Sequence, residues 1–316
     1  MGLRKALLLL SIAYVVIAVL AAQTPSDPDW QIAAGGKMAF EVASVKLAKP
    51  GTFAPPTFFL DLGDAKPRGG RFSYSFPIWG YIGFAYKIDL LPSQEMLAPH
   101  LPKWANENYV IDAKADGNPT KDQWRLMMQS LLADRFKLKV HFESRERPVL
   151  ALTLVKPGKL GPKLRPHSEG PPCPDSFEMI NPSTTPLPKE SDVWPPQCGT
   201  SALFAATPNV TRIGARNTTM ELLAQDIYHY GSRFGGLDKP VVDRTALQGK
   251  FDFILELPPG MLSFSLKPPD PDDPPPEPKG PPFLNAVREQ LGLKLVRSRG
   301  EIRMLIIDHV ERPSEN

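Results

Sequence analysis

Apolar and polar positions near the end of the chain change from a helical period to a strand period. Residues 283–310 carry apolar side chains at helical spacing and then alternate, which predicts a helix, a strand, a tight turn and a second strand. The same order of apolar and basic residues occurs 155 positions earlier, at 128–155, so that Met128 corresponds to Phe283. This repeat predicts an internal duplication.

The first half of the duplicated region, 40–156, has a pattern of short strands and helices. Thr120 and Gln123 form a capping-box pattern, in which each side chain satisfies a free amide at the start of a helix. A second helix face is predicted at Ile78, Tyr81, Ile82 and Ala85. The predicted strands are 40–47, 71–75 and 108–113, followed by 137–142 and 148–155 around a charged turn at 143–147.

The second half, 209–313, repeats this order. Thr218 and Glu221 form another capping-box pattern before a helix face that begins at Met220. The predicted strands before the C-terminal stretch are 210–216, 240–242 and 250–257. Each half is therefore predicted to run roughly β-α-β-α-β-β, which indicates an α+β fold with helices packed on a small mixed sheet.

Proline marks the segments between these elements. The chain has 37 prolines, concentrated in 157–208 and 258–282. The first block is predicted to be a linker between the halves, and the second an irregular insertion within the second half. The polar stretch 23–39 is predicted to be a disordered N-terminus.

The first 22 residues are typical of a secretory signal peptide. Arg4 and Lys5 precede an apolar run, and small residues follow at plausible cleavage sites. The alternative is an uncleaved membrane anchor, although a span needs about 20 apolar residues. An exported protein, periplasmic or secreted, is expected, with membrane contact only if this segment is retained.

Charge argues against one class of partner. The chain has 37 basic and 34 acidic residues, and removing Arg4 and Lys5 leaves it nearly neutral. Nucleic-acid binding needs a basic stripe, which the interspersed charges do not provide. The expected partner is an envelope protein or a glycan.

The two cysteines, Cys173 and Cys198, are predicted to form a disulfide because an exported protein folds in an oxidising compartment. The alternatives are a pair of metal ligands or a redox couple. Neither has a CxxC spacing or a nearby histidine cluster in its favour.

Known catalytic and metal motifs are not found in the sequence. The five histidines are scattered without a paired metal spacing, and there is no nucleophile elbow, P-loop or dinucleotide fingerprint. No cofactor and no metal is therefore expected. Asp308 and His309 are adjacent, but neighbouring strand residues point to opposite faces, so they are not expected to form an acid–base pair.

Other polar and aromatic positions have a structural and a functional interpretation. Arg244 lies in a predicted surface turn and could contact an anion or partner, as could Asp308 and His309. Gly249 is expected at a positive φ, and Asp252 is expected to face solvent. Three aromatic residues could line a groove, although aromatics at helical spacing usually lie in a core: Trp79, Tyr81 and Tyr86.

Five segments in this order resemble one family. They are FEVASVK from Phe40, LLADRFKLKVHFESRERPVLAL from Leu131, PVVDRTALQGKFDF from Pro240, EQLGLKL from Glu289 and IDHVERPSEN from Ile307. The chain is similar to a large paralogous family of uncharacterised exported proteins of Acidobacteria of the Solibacter type. Two departures stand out: Ala246 lies where that family usually has glycine, and residues 76–79 are an unusual start to the first helix.

The resemblance implies a domain of unknown function. Related domains occur behind metallopeptidase sensors of the beta-lactam-receptor type, which implies sensing or partner binding outside the membrane. The second half also looks like the short N-terminal modules of secretins and TonB-dependent receptors, which bind other proteins without catalysis. That similarity is one of pattern and identifies no site.

Two functions follow as hypotheses. The first is a non-enzymatic binding or sensing protein that uses an exposed sheet edge or the cleft between the halves. The alternative is an exported, hydrolase-like enzyme with residues from both halves meeting at their interface.

Overall fold

The first sheet and its helices enclose one hydrophobic core. The structure, a computed structural model, describes residues 28–49, 58, 60–64, 69–88, 97–169, 173, 198–207, 210–234, 236–257 and 283–313. The antiparallel sheet has the order β1-β3-β2 and consists of β1 (Val42–Leu47), β2 (Arg71–Pro77) and β3 (Asn108–Lys114). Its helices are α2 (Ile78–Ala85) and α3 (Lys121–Arg135). A short helix α1 (Asp29–Ala33) precedes them, inside a stretch whose polar composition predicted none.

Helix α3 begins where the capping pattern predicts. The Thr120 hydroxyl accepts from the Gln123 amide at 3.2 Å, and the Thr120 amide donates to Gln123 Oε1 at 2.9 Å. Trp124 is fully buried against the rings of Phe40 and Phe58. The predicted capping box is therefore confirmed, and it sets the register that turns Trp124 into the first core.

The second sheet repeats the arrangement of the first. It has the order β5-β9-β7-β6 and consists of β5 (Leu164–Pro166), β6 (Ala202–Thr207), β7 (Val210–Thr218) and β9 (Phe251–Leu257). Its helices are α4 (Met220–Phe234) and α5 (Phe283–Leu291), and the short strand β8 (Val241–Asp243) lies between α4 and β9. The strand orders β1-β3-β2 and β5-β9-β7 correspond, as a duplicated unit requires. Mixed helices and small sheets confirm the α+β class.

Two short strands lie in the stretch 157–208, where the proline pattern predicted a linker. Both β5 and β6 pair with the second sheet. They were not predicted because three to six residues beside prolines carry too little periodicity. The predicted signal segment, the insertion 258–282 and most of the remaining linker lie outside the described residues.

The start of α4 corrects a second capping prediction. The Thr219 hydroxyl, not that of Thr218, accepts from the amide three residues later, at Leu222. Thr218 is still part of β7, where it pairs with Phe251. The strand therefore continues further than its alternation indicated, and the helix starts one residue later.

The predicted hairpins in the two repeats are wrong. Instead of two strands each, the chain forms two long strands, β4 (Lys139–Leu154) and β10 (Leu293–His309). They pair antiparallel over their whole length as a long ribbon, and β8 pairs in parallel with the end of β4 as the third strand of this sheet. The segment 143–147 lacks the glycine or asparagine that a tight hairpin turn favours. Gly300 does not form a turn. Its lack of a side chain leaves room for Val149, because a Cβ at position 300 would lie 3.1 Å from the Val149 side chain.

The ribbon carries each half into the core of the other. Glu146 lies opposite Glu301, and these two residues are also equivalent under the 155-residue repeat. A pseudo-twofold axis therefore passes between them. Beyond this point β4 supplies Leu152 to the second core, while β10 supplies Leu305 to the first. Each core thus contains strand residues from the other half of the chain.

The loop after β8 contains a residue in an unfavourable backbone region. Ala246 has a φ of 60°, and Gly249 has a φ of 95°, so the predicted positive φ of Gly249 is confirmed. The left-handed region costs a residue with a Cβ about 1–2 kcal/mol. This conformation explains why glycine would suit position 246.

We expect Ala246→Gly to raise the free energy of unfolding by about 0.5–1 kcal/mol, because the strain at Cβ is relieved while the unfolded chain gains some freedom. Chemical denaturation measures the change. Gly249→Ala is the matched control and should lower stability, since it introduces the same strain. A destabilised Ala246→Gly variant would contradict the expectation.

Candidate functional site

A cleft of about 410 Å³ lies between the two halves. This volume falls in the range of small-molecule sites. Its walls come from the N-terminal helix, the first core, the ribbon and the second sheet with α4. The lining residues include Trp30, Asp64, Tyr86, Lys87, Phe142, Asn217, Leu222, Lys250 and Arg303.

Aromatic rings and cations alternate along one wall of the cleft. The Lys87 ammonium lies 4.6 Å from the Trp30 ring centroid and 2.8 Å from an Asp122 carboxylate oxygen. The Arg303 guanidinium lies 3.8 Å from the Phe142 ring centroid. These contacts hold both cations in place at modest energy. The wall therefore offers apolar faces with positive charge beside them.

Tyr86 supplies a neutral hydroxyl to the same wall. Its ring meets Phe142 edge to face at a centroid distance of 6.2 Å. Burial raises the pKa of Tyr86 to about 12. The hydroxyl therefore keeps its proton at physiological pH and can donate or accept a hydrogen bond.

The opposite wall joins the halves through backbone and charge contacts. The Asp64 amide donates to the Gly199 carbonyl oxygen at 2.8 Å, and the Lys250 ammonium lies 3.5 Å from an Asp64 carboxylate oxygen. A Cβ on Gly63 would fall 1.9 Å from the Gly199 oxygen. Glycine at 63 is therefore required for this close approach.

A buried charged cluster supports that wall from behind. The fully buried Arg125 donates through Nη2 to the carbonyl oxygens of Asp61 and Gly63, each at 3.0 Å, and through Nη1 to Asp122. The Asp61 carboxylate also binds the buried Lys121 ammonium and the Thr200 hydroxyl. Burial lowers the pKa of Lys121, although the ion pair with Asp61 opposes this shift. Thr200 lies just before β6 of the second sheet, so the cluster fixes the segment 60–64 against the chain that enters that sheet.

A second buried carboxylate corrects the expectation for Asp252. The sequence predicted a solvent-facing side chain, but Asp252 is fully buried. It accepts from His167 Nδ1 at 2.6 Å, from the Asn217 amide at 3.0 Å and from Arg165 Nη2 at 3.4 Å. A register shift in β7 between residues 215 and 218 brings the Asn217 amide to it. Alternation assigns a strand face correctly but cannot show that β5 and the turn 167–169 cover it.

The cysteine prediction is confirmed. Cys173 and Cys198 form a disulfide with a Cα–Cα distance of 5.9 Å. His167 Nε2 lies 3.6 Å from Cys173 Sγ. A histidine therefore lies beside the disulfide, a contact that the sequence pattern did not predict.

The predicted partner-contact residues lie apart from the cleft lining. Arg244 is exposed, and its amide donates to the Leu152 carbonyl oxygen at 2.9 Å. Asp308 binds His141 Nδ1 at 2.8 Å, while His309 Nε2 lies 2.7 Å from Glu311. Asp308 and His309 thus have separate partners. Their role in partner contact stays a prediction.

The Asp308–His141 pair is part of an exposed cluster on the ribbon. Hydrogen bonds from Asp308 and Glu143 raise the pKa of His141. Among the described residues, no group of three or more His, Cys, Asp or Glu side chains could hold a metal ion. His141 forms surface ion pairs with Asp308 and Glu143 in this cluster.

The aromatic groove predicted from the sequence divides between core and cleft. Trp79 and Tyr81 are buried in the first core, and the Tyr81 hydroxyl lies 2.7 Å from the Tyr74 carbonyl oxygen. Tyr86 alone of the three lines the cleft. A larger surface depression of about 690 Å³ lies beside β1 and β3, but its walls come from one half only.

The fold and the cleft together define the class of protein to which this molecule belongs. The molecule is a duplicated α+β protein with exchanged strands and an aromatic, charged cleft between its halves. A family model covers residues 80–310, and the chain belongs to that family, described as a protein of unknown function (DUF3738). Comparison with curated proteins and with solved structures found no match. The described part of the chain has no helix long and apolar enough to span a membrane.

Proposed function

We propose that the protein is an exported, non-enzymatic binding protein of the cell envelope and that its ligand occupies the cleft between the halves. One observation carries the proposal: both halves contribute side chains to one concave site, and cation–aromatic and ion-pair contacts hold several of these side chains in place. A site of this kind needs little ordering when a ligand binds, which favours affinity. The acidobacterial origin and the sensor fusions implied by the resemblance remain expectations.

The chemistry of the walls limits the ligand. Trp30, Tyr86 and Phe142 offer ring faces and edges to an apolar surface. Arg303 adds positive charge beside Phe142, and Lys250 adds a cation on the opposite wall. Apolar walls with a few placed polar groups fix both the position and the orientation of a ligand. A glycan fragment or another small polar molecule with one apolar face, neutral or anionic, fits this lining.

The alternative, an exported enzyme, finds less support in the same cleft. Histidine, serine and cysteine do not occur among its described lining residues. The described lining therefore offers neither a hydroxyl–imidazole nor a thiol–imidazole pair of the kind that nucleophilic catalysis uses. The proposal accordingly assigns binding rather than turnover to the cleft.

Leu222→Arg should abolish ligand capture. Leu222 is half-buried in the cleft wall, so an arginine there fills the site and adds charge. Purified protein is incubated with an envelope extract, re-isolated and analysed by native mass spectrometry for bound glycans and small molecules. A ligand so identified is then titrated while the fluorescence of Trp30 and the other tryptophans is followed. We expect at least a tenfold loss of affinity, since a blocked pocket loses most of its buried contacts.

Val296→Arg is the matched control, because Val296 is an exposed apolar residue on the ribbon. It adds the same side chain away from the cleft and should leave capture unchanged. Equal capture by both variants would place the ligand elsewhere. If unmodified protein retained no molecule from the extract, the binding proposal would fail.

A further inference from the structure

The surroundings of the disulfide are more than a structural link requires. Cys173 and Cys198 form the disulfide, and each of the two residues is only half-buried. His167 Nε2 lies 3.6 Å from Cys173 Sγ. Because the imidazole lies next to the sulfur of Cys173, the two sulfur atoms of the disulfide are chemically unequal.

His167 is held in this orientation by its other nitrogen. Its Nδ1 lies 2.6 Å from Asp252 Oδ1, and its backbone amide donates to the Lys250 carbonyl oxygen at 2.9 Å. Asp252 is fully buried and is itself fixed by Asn217 and Arg165. With Nδ1 engaged by the carboxylate, Nε2 is the nitrogen left to face the sulfur.

The Cys173 sulfur, the His167 imidazole and the Asp252 carboxylate therefore form a chain of successive contacts. This is the order in which enzymes activate thiol nucleophiles: the carboxylate orients the imidazole, and the imidazole exchanges a proton with the thiol. The charged groups facing His167 are Asp252 from β9 and, through Asp252, Arg165 from β5. An imidazole held next to a sulfur can stabilise the thiolate that forms there when the disulfide is reduced.

We propose that Cys173–Cys198 is a redox-active disulfide that oxidises a dithiol, with His167 stabilising the Cys173 thiolate and Asp252 acting as a positioning residue. None of these four residues lines the cleft, although the backbones of the lining residues Asn217 and Lys250 contact Asp252 and His167, and the proposal does not depend on the cleft binding a ligand. The substrate class is a pair of vicinal or neighbouring thiols in an exported protein or small molecule.

The exchange balances in two steps. A thiolate of the dithiol attacks Cys198 Sγ, a mixed disulfide forms, the Cys173–Cys198 bond breaks, and its electron pair passes to Cys173 Sγ beside His167. The second thiolate of the dithiol then attacks the substrate sulfur that is bonded to Cys198. The substrate disulfide closes, and Cys198 leaves as a thiolate. The two protons lost by the dithiol end on the two cysteines, directly or through His167 and solvent. The dithiol is oxidised by two electrons, and this disulfide is reduced by two.

The test compares the two thiols one at a time. Cys198→Ser leaves only Cys173, and Cys173→Ser leaves only Cys198. The rate of alkylation by iodoacetamide is measured for each variant between pH 5 and 10. We expect the pH midpoint for Cys173 to lie at least about one unit below that for Cys198, because a thiol beside an imidazolium ionises at lower pH.

Substitutions of the partners distinguish this role from a structural one. In the Cys198→Ser background, His167→Gln should move the Cys173 midpoint up to that of Cys198, and Asp252→Asn should move it part of the way. Circular dichroism checks that the fold is retained. Equal midpoints for the two thiols, or a Cys173 midpoint that His167→Gln does not move, would overturn the proposal.

A second measurement keeps the native disulfide and serves if the single-cysteine variants do not fold. Intact protein is reduced with dithiothreitol, and the loss of the disulfide is followed by quenching with an alkylating agent and mass spectrometry. We expect His167→Gln to slow reduction at pH 7 roughly tenfold, since the thiolate leaving group loses its stabilising partner. An unchanged rate would contradict the proposal.

Discussion

Leu152→Ala should destabilise the second core of the protein although Leu152 lies in the first half of the chain. The side chain is fully buried among residues of the second core. Its truncation removes buried methyl groups and leaves a cavity, so we expect a loss of about 2–5 kcal/mol in the free energy of unfolding. Chemical denaturation gives the size of the loss, and amide hydrogen exchange gives its location.

The location is the informative part of this experiment. With exchanged strands, protection should fall in β8, which pairs with β4 at Leu152, and in the other strands of the second core. Leu305→Ala is the matched variant, because Leu305 lies in β10 but packs in the first core. Its effect should appear in β3 and α3. If each variant instead reduced protection in its own half of the chain, the exchange of strands through the ribbon would be refuted.

Arg125→Ala should cost about 3–5 kcal/mol, which is typical when one partner of a buried ionic network is removed. The guanidinium is fully buried, and its loss leaves two carbonyl oxygens of the segment 60–64 without their donor. The midpoint of guanidinium chloride denaturation measures the effect. Because this segment carries Asp64 to the cleft, ligand affinity should fall as well.

Two variants of the same helix serve as controls. Arg135→Ala removes a more exposed guanidinium, 3.1 Å from Asp134, and should change stability by no more than about 0.5 kcal/mol. Arg125→Lys keeps the charge, but its single nitrogen cannot replace both Nη2, which binds the two carbonyl oxygens, and Nη1, which binds Asp122, so it should restore stability only in part. If Arg125→Ala left stability unchanged, the cluster would not hold the segment 60–64 in place.

Local features of the fold could be predicted because they depend on neighbouring residues. The capping pair Thr120 and Gln123 set the start of α3, and the alternation around Phe251 set β9. The cysteine pair could be assigned from the expected compartment alone. The helix cap and the strand depend on contacts within a few residues along the chain. The disulfide could be assigned because the chain has only two cysteines.

Other predictions were wrong where long-range contacts decide. The charged segment 143–147 was predicted to turn, and it continues as a strand because β10 pairs with it over its whole length. Asp252 was predicted to face solvent, since alternation cannot show what covers a strand face. Thr219 replaced Thr218 as a helix cap, because a pairing with Phe251 extends β7.

The candidate site was the least predictable part. Tyr86 was considered for a groove, yet Trp30, Phe142 and Arg303 carry no sequence pattern that connects them. They meet because the ribbon crosses between the cores and brings its cation–aromatic pair beside the N-terminal helix. Likewise, His167 and Cys173 lie near each other in sequence, but Asp252 joins them only through the second sheet.

The sequence by itself determined the α+β class, the duplication, most element boundaries and the disulfide. These depend on periodicity, capping and composition, which act over short distances along the chain. Tertiary structure alone decided that the repeats exchange strands, that a buried carboxylate aligns a histidine with a sulfur, and that a cleft forms between the halves. The physical reason is that strand pairing and burial depend on which distant segments meet, and a one-dimensional pattern does not specify its partner.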